Sequence, residues 1–240
     1  PGNTPSMTMT SAEQATFVKS WLGPAFRDAG VKTKIVVYDH NCDHPDYPIE
    51  VLSDPQANAF IDGSAFHLYL GDISAMGRVH QAFPGKNVYF TEQWTSGQGD
   101  FGGDLNWHVK NLVIGAVRNW SRTVLEWNLA NDENFNPHTG DGGCTLCQGA
   151  ITINSSTGAI SRNVSYYIIA HASRFVPAGA VRIGSELVSG FPNVAFLTPA
   201  GKKVLIVLND SDKAGSFSIG FGNRSAAAYL EAGAVGTYVW

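Results

Sequence analysis

Four short apolar segments, each separated from the next by a helical pattern, constrain the fold of this chain more than any other feature. The segments are rich in β-branched and aromatic residues and cover residues 34–39, 63–69, 88–91 and 123–129. Apolar residues at helical spacing predict helices over residues 11–29, 55–61, 73–83 and 105–120. Strands that alternate with helices indicate parallel βα units, so four such units predict half of a (β/α)8 TIM barrel.

The pattern changes after about residue 133, where a stretch rich in Gly and Pro predicts a connecting loop. Beyond it, short apolar segments alternate with turns, and one helical pattern lies near residues 166–175. Strands at this spacing indicate an antiparallel β-sandwich. We therefore divide the chain into half of a barrel (residues 1–133), a connecting loop (134–149) and a β-sandwich domain (150–240).

The composition of the chain argues against a nucleic-acid-binding or membrane-spanning protein. The 240 residues carry a net charge of -4 without a basic patch, which argues against nucleic acid as a partner. No run of 18 apolar residues is present, so no transmembrane segment is predicted. The low charge, 26 glycines and 11% aromatic residues favour a secreted or periplasmic carbohydrate-active protein. The first residues have the composition of a loop, and we expect the chain to begin inside a larger protein.

Three carboxylates follow strand ends: Asp39, Glu92 and Glu126. Carboxyl ends of barrel strands hold the catalytic groups of TIM-barrel enzymes, and cleavage of a glycosidic bond uses two carboxyl groups. Each of the three could equally be an ordinary loop acid. Glu92 is the strongest candidate, because Trp94 and a Gly-rich loop follow it.

Four more residues are candidates for sugar binding. His67 and Tyr69 alternate along one strand, so both point to the same face. Trp127 could stack on a pyranose ring, and Asn128 could bind its hydroxyl groups. The alternative is that His67 and Trp127 are ordinary core side chains.

Two Cys-containing motifs raise the question of a metal. The run from His40 to His44 crowds its ligands into five residues and matches no established zinc spacing. Cys144 and Cys147 could be half of a zinc site, a redox pair or a short disulfide, and no second Cys-x-x-Cys is present. We predict neither a metal nor a cofactor.

As an ordered set, several of these segments resemble glycoside hydrolase family 30, the glucosylceramidase-like retaining β-glycosidases. The segments that carry the resemblance are Tyr38–Asn41, Phe66–Tyr69, Tyr89–Trp94, Glu126–Ala130, Gly142–Gly149 and Tyr167–Phe175. The resemblance implies the C-terminal half of the family's (β/α)8 barrel, strands five to eight, followed by its side β-sandwich.

The resemblance also implies roles for individual residues. Glu92 falls on the family's catalytic nucleophile, and Tyr69 on a tyrosine that hydrogen-bonds it. Sugar-contacting positions fall on Asp39, Asn41, His67, Tyr69 and Trp127, and we add Trp94 and Asn128 as substrate-binding candidates. The family's acid/base lies in an Asn-Glu-Pro motif after strand four, and no such motif occurs here.

Three functions follow as hypotheses. The first is a hydrolase that cleaves β-glucosides, glucosylceramide or β-1,6-glucan with retention, its acid/base and barrel strands one to four coming from an upstream segment or a second chain. Glucosylceramide would place it in sphingolipid metabolism. The second is a non-catalytic carbohydrate-binding protein with a split or degenerate barrel. The third is a metal-dependent hydrolase that uses His40, Cys42 and His44.

Overall fold

A parallel sheet of four strands organises the first part of the protein. The computed structural model describes residues 7–240. The strands of this part are β1 (Ile35–Cys42), β2 (Ile61–Gly71), β3 (Asn87–Glu92), β4 (Thr95–Ser96) and β5 (Ser121–Val124). The sheet has the order β1-β2-β3-β5 and all its pairs are parallel, which confirms the predicted series of βα units. Among the described residues, β1 and β5 each pair with one neighbour in this sheet.

Helices connect these strands and cover one face of the sheet. They are α1 (Ser11–Phe17) and α2 (Gly23–Asp28), joined by the π-helical turn Val18–Leu22; α3 (Asp46–Ser53); α4 (Pro55–Asn58); α5 (Ala75–Ala82); and α6 (Phe101–His108), which continues as the π-helix Val109–Ala116. The sequence pattern missed α3, which contains a proline, and its predicted strand 123–129 is too long. The pairing of that strand with β3 ends at Val124.

The core of this part fixes the two central strands against the helices. Phe66 on β2 and Phe90 on β3 are opposite each other in the sheet, and both are fully buried. Leu52, Met76 and Leu112 pack with them from three helices. Truncating a buried Phe to Ala typically costs about 3–5 kcal/mol, so this contact holds the register of β2 and β3 firmly. A register shift follows this pair and places His67 of β2 beside Glu92 of β3.

The second part of the chain is mainly antiparallel. Its elements are β6 (Ala130–Asn131), β7 (Cys147–Gln148), β8 (Ile151–Ile153), β9 (Ile160–Arg162), α7 (Val164–Ser173), β10 (Val181–Ile183), β11 (Asn193–Leu197), β12 (Lys203–Leu208), β13 (Gly215–Phe221), β14 (Arg224–Leu230) and β15 (Val235–Val239). The sheets are β10-β11-β12-β15, the hairpin β13-β14, β6-β8-β9 and the pair β4-β7. The predicted half barrel with an antiparallel β-sandwich is thus confirmed.

Helix α7 joins the two parts in one packed layer. Its Ile168 is fully buried together with Val113 of the π-helix and Ile206 of β12. Helix α7 therefore contacts both the barrel side and the sandwich side, and our division at residues 133 and 150 stays a prediction. No helix between residues 7 and 240 has both the length and the apolar character needed to cross a membrane.

Candidate active site

The carboxyl ends of β1, β2 and β3 bring five of the predicted residues together. Asn41 on β1 is paired in register with His67 on β2, and His67 is paired with Glu92 on β3. Asp39 also lies on β1, and Tyr69 lies on β2. Because the three strands are parallel, their polar ends meet at one edge of the sheet, as the sequence pattern predicted.

Glu92 has two neighbours at this edge. The Tyr69 hydroxyl donates a hydrogen bond to Glu92 Oε1 at 3.1 Å, and His67 Nδ1 lies 3.7 Å from the same oxygen. The Glu92 side chain is 33% exposed, so one side of the carboxylate is open. Burial, and next the negative charge of Glu92, raise the pKa of Tyr69 well above its usual range. The phenol therefore stays protonated and acts as a hydrogen-bond donor.

His67 connects Glu92 to Asp39. His67 Nε2 lies 3.2 Å from Asp39 Oδ1, and Thr91 Oγ1 donates to that oxygen at 2.6 Å. The hydrogen bond from His67 is the main cause that lowers the pKa of Asp39. Tyr38 and Asp39 have φ of 76° and 54°, and such left-handed conformations of non-glycine residues cost energy and cluster at functional sites. This conformation aims the carboxylate of Asp39 at the imidazole ring.

Two amide side chains hold the strand ends in place. Asn41 is buried, and its Oδ1 accepts a hydrogen bond from the Tyr69 amide at 3.0 Å. This oxygen therefore bonds the backbone of β2. Gln93 was not predicted from the sequence. Its Nε2 donates to the Leu68 carbonyl at 2.9 Å and its Oε1 accepts from the Trp94 amide at 3.0 Å. The sequence signal was a polar residue at the end of an apolar, aromatic run.

Two tryptophans lie beside this edge. The Trp127 amide donates to the Gln93 carbonyl at 2.7 Å, and Trp94 and Trp127 form an isolated parallel bridge. Trp127 is 49% exposed, which leaves ring surface available to a ligand, whereas Trp94 is partly buried. Asn128 Oδ1 is buried without a hydrogen-bond partner and packs next to Gly149. The sugar-binding roles of these residues stay predictions.

The third strand-end carboxylate, Glu126, has a different environment. Its side chain is only 3% exposed, and Oε1 lies 2.8 Å from Nδ1 of the buried His108 on α6. Burial raises the pKa of Glu126, and its Oε2 has no hydrogen-bond partner. The structure therefore packs Glu126 against a helix and gives it no open face comparable to that of Glu92.

The cysteines of the two motifs have different oxidation states in the structure. Cys144 and Cys147 form a disulfide, one of the three alternatives that the sequence left open. Cys42 is a buried free thiol, and burial raises its pKa to about 12. Within residues 7–240, the His, Cys, Asp and Glu side chains do not form a group of three or more that could hold a metal ion.

Comparison with known proteins places this geometry in a family. The Glycosyl hydrolase family 30 TIM-barrel domain matches residues 3–176, and the Glycosyl hydrolase family 30 beta sandwich domain matches residues 179–238. An endo-1,6-β-D-glucanase of Aspergillus fumigatus is 35% identical in an alignment 214 positions long that covers 85% of this chain and 42% of that protein. The lysosomal acid glucosylceramidase of Mus musculus is 25% identical in an alignment 254 positions long that covers 96% of this chain and 47% of that protein.

A solved structure agrees with these relatives. The structure of an endo-β1,6-glucanase superposes with a TM-score of 0.91 and 34% identity, and the match covers 100% of this chain and 56% of that one. The chain thus spans about half the length of the proteins it matches. Because the family's barrel and sandwich domains together account for nearly all of residues 3–238, the chain belongs to glycosyl hydrolase family 30.

Proposed function

We propose that this chain carries the nucleophile of a retaining β-glycosidase, and that the nucleophile is Glu92. The observation that supports the proposal is the position of Glu92 at the open end of β3, where Oε1 accepts from Tyr69 at 3.1 Å and lies 3.7 Å from His67 Nδ1. An oriented carboxylate with one open side can attack an anomeric carbon.

In the proposed reaction, a Glu92 oxygen forms a bond to the anomeric carbon while the glycosidic oxygen leaves with a proton from an acid. Water then releases the sugar from Glu92. Tyr69 orients the carboxylate through its hydrogen bond, and His67 lies beside it. Asp39, ionised because of its lowered pKa, orients the imidazole ring of His67.

We propose that the proton donor comes from a segment outside these 240 residues, either upstream or on a second chain, which also carries the other barrel strands. Asp39 is a poor donor because the bonds from His67 and Thr91 favour its ionised form. Glu126 is buried against His108. In a retaining enzyme the donor carboxyl lies about 5–5.5 Å from the nucleophile, so it must approach the open side of Glu92.

The proposed substrate is a β-linked glucose unit, with β-1,6-glucan as the first choice. The relative at 35% identity is an endo-1,6-β-D-glucanase, whereas the glucosylceramidase is 25% identical. Glucosylceramide, and with it sphingolipid metabolism, is the second choice. Comparing rates on a linear β-1,6-glucan and on micellar glucosylceramide, after adding the segment with the proton donor, would decide between them. The Cys144–Cys147 disulfide supports a secreted or periplasmic location, because disulfides persist in oxidising compartments.

The nucleophile can be tested with a reagent whose leaving group needs no proton donor. In 2,4-dinitrophenyl 2-deoxy-2-fluoro-β-D-glucoside the phenolate leaves without being protonated, and the fluorine slows release of the sugar. We expect the chain, combined with the segment that carries the other barrel strands, to gain one sugar by intact mass, mapped by peptide sequencing to Glu92. Glu92→Gln should abolish labelling, because the amide cannot attack. Glu231→Gln is the matched control, since Glu231 is an exposed acid on the sandwich side.

Labelling that persists in Glu92→Gln, or that maps to another residue, would contradict the assignment of the nucleophile. A wild-type chain that binds β-glucosides without ever being labelled would instead support the non-catalytic carbohydrate-binding protein. Rapid turnover of an ordinary aryl β-glucoside by these 240 residues alone would show that a proton donor lies within them.

A further inference from the structure

The Cys144–Cys147 disulfide lies in the strand pair that follows the candidate nucleophile. Strand β7 begins at Cys147, which is paired with Ser96 of β4. The Gly97 amide donates to the Leu146 carbonyl, inside the disulfide ring, at 2.9 Å. Since Ser96 comes only four residues after Glu92, the disulfide ring is in direct hydrogen-bonded contact with the loop that leaves the site.

The rest of this strand pair is anchored from the other side. Asn131 is buried, its Nδ2 donates to the Cys147 carbonyl at 2.6 Å, and its Oδ1 accepts from the Gly149 amide at 2.9 Å. Thr95 Oγ1 lies 3.2 Å from Ser165 Oγ at the start of α7. These bonds hold residues 147–149 and Thr95, but neither set includes Leu146. The turn that presents the Leu146 carbonyl is closed by the disulfide.

We propose that the Cys144–Cys147 disulfide is a positioning element of the carbohydrate site. It holds Leu146 and Cys147 against Ser96 and Gly97, and so fixes the position of the segment that follows Trp94 beside the site. The proposal rests on the proposed function, since it concerns the same site. It adds a pair of residues that no sequence pattern connected with sugar binding.

The arrangement separates binding from attack. The side-chain partners of the Glu92 carboxylate are Tyr69 and His67, both on β2, and the disulfide loop contributes neither. The loop instead holds the chain that follows Trp94, whose neighbour Trp127 is the exposed ring. Breaking the disulfide should therefore weaken sugar binding and leave the maximal rate of attack nearly unchanged.

The test measures labelling by the dinitrophenyl fluoroglucoside at increasing concentrations, which gives a half-saturating concentration and a maximal rate. The perturbed proteins are the double variant Cys144→Ser/Cys147→Ser and the wild-type chain reduced with dithiothreitol. The double variant in the same reductant is the control, because it has no disulfide left to break, so the reductant should not change its labelling further. We expect the half-saturating concentration to rise about fivefold or more in both perturbed proteins, with the maximal rate within about twofold of wild type.

Hydrogen exchange provides a second readout on the same proteins. The Gly97 amide should exchange about tenfold faster when the disulfide is broken, while the amides of the hairpin β13-β14 keep their rates. If the double variant does not fold, the reduced wild-type chain gives both readouts. An unchanged half-saturating concentration together with faster exchange at Gly97 would make the disulfide merely structural and overturn the proposal, as would an unchanged Gly97 exchange rate.

Failure of the proposed function looks different. A wild-type chain that is never labelled when combined with the segment that carries the other barrel strands refutes the nucleophile assignment. In that case the binding of a β-1,6-linked glucose disaccharide, followed by tryptophan fluorescence, replaces labelling. An equal dissociation constant for the oxidised and reduced chains, or no binding by the oxidised chain, then overturns the proposal.

Discussion

The buried pair of Glu126 and His108 yields the sharpest test of how the strand-end carboxylates differ. Both side chains are 5% exposed or less, and a single hydrogen bond of 2.8 Å joins them. Because Glu126 Oε2 already lacks a partner, His108 is the one side chain that compensates this carboxyl for its burial. We expect His108→Ala to destabilise the protein strongly, and Glu126→Gln to be tolerated.

The size of the effect follows from burial. Removing the partner of a buried carboxylate typically costs about 3–5 kcal/mol, because the remaining charge has neither water nor another partner. An unpaired buried amide costs about 1–3 kcal/mol. His108→Ala should therefore cost about 2 kcal/mol less in the Glu126→Gln background than in the wild-type background, a coupling within the range of contacting residues.

Stability should also depend on pH in a defined direction. Burial raises the pKa of Glu126 in the folded chain, so its contribution to stability is fully present below the usual value of about 4.3 and is lost as the pH rises through the folded pKa. Gln does not titrate. Glu126→Gln should therefore gain stability relative to wild type as the pH rises from 4 to 7.

Urea unfolding followed by tryptophan fluorescence gives all four corners of the mutant cycle at each pH. Labelling of Glu92 by the fluoroglucoside is the functional readout on the same proteins. A cost below about 1 kcal/mol for His108→Ala would refute the burial argument, since that is the size of an exposed pair. Loss of labelling in a folded Glu126→Gln protein would refute the structural role and return Glu126 to the list of catalytic candidates.

Three further outcomes are expected. Trp127→Ala should weaken binding of β-1,6-linked glucose oligosaccharides, measured by calorimetry, at a cost in unfolding free energy well below the ~3 kcal/mol of a buried Trp truncation; a larger cost would make the ring part of the core. The double variant Cys144→Ser/Cys147→Ser should lower the free energy of unfolding by about 2 kcal/mol, the chain-entropy value for a four-residue loop, in urea titrations; a loss above about 4 kcal/mol would contradict that origin. Asp39→Asn should lower the free energy of unfolding by less than about 1 kcal/mol at pH 7, because the Asp39 side chain is 62% exposed. The difference in stability from wild type should vanish as the pH falls through the lowered pKa of Asp39, and a difference that grows in acid would contradict this.

The sheet and its polar edge were predictable because their signals are local. Apolar runs separated by helical patterns predicted the strands around Phe66 and Phe90, and the two-residue period of a strand predicted that His67 and Tyr69 share a face. The structure brings both of these residues to Glu92. The same reasoning missed strand β14, whose run of small residues carries little strand propensity.

The environment of Glu126 could not be predicted in this way, and the reason is physical. Strand β5 ends at Val124, so the residues after it no longer follow the alternation that tells the two faces of a strand apart. His108, eighteen residues earlier on a helix, decides where the carboxylate lies, and a contact between a helix and a loop leaves no period in the sequence. Glu92 stays within its strand, paired with His67 of β2. Glu92 and Glu126, which both follow apolar runs in the sequence, therefore have different chemical environments. Glu92 is partly solvated and oriented by a neighbouring strand, and Glu126 is desolvated against a helix.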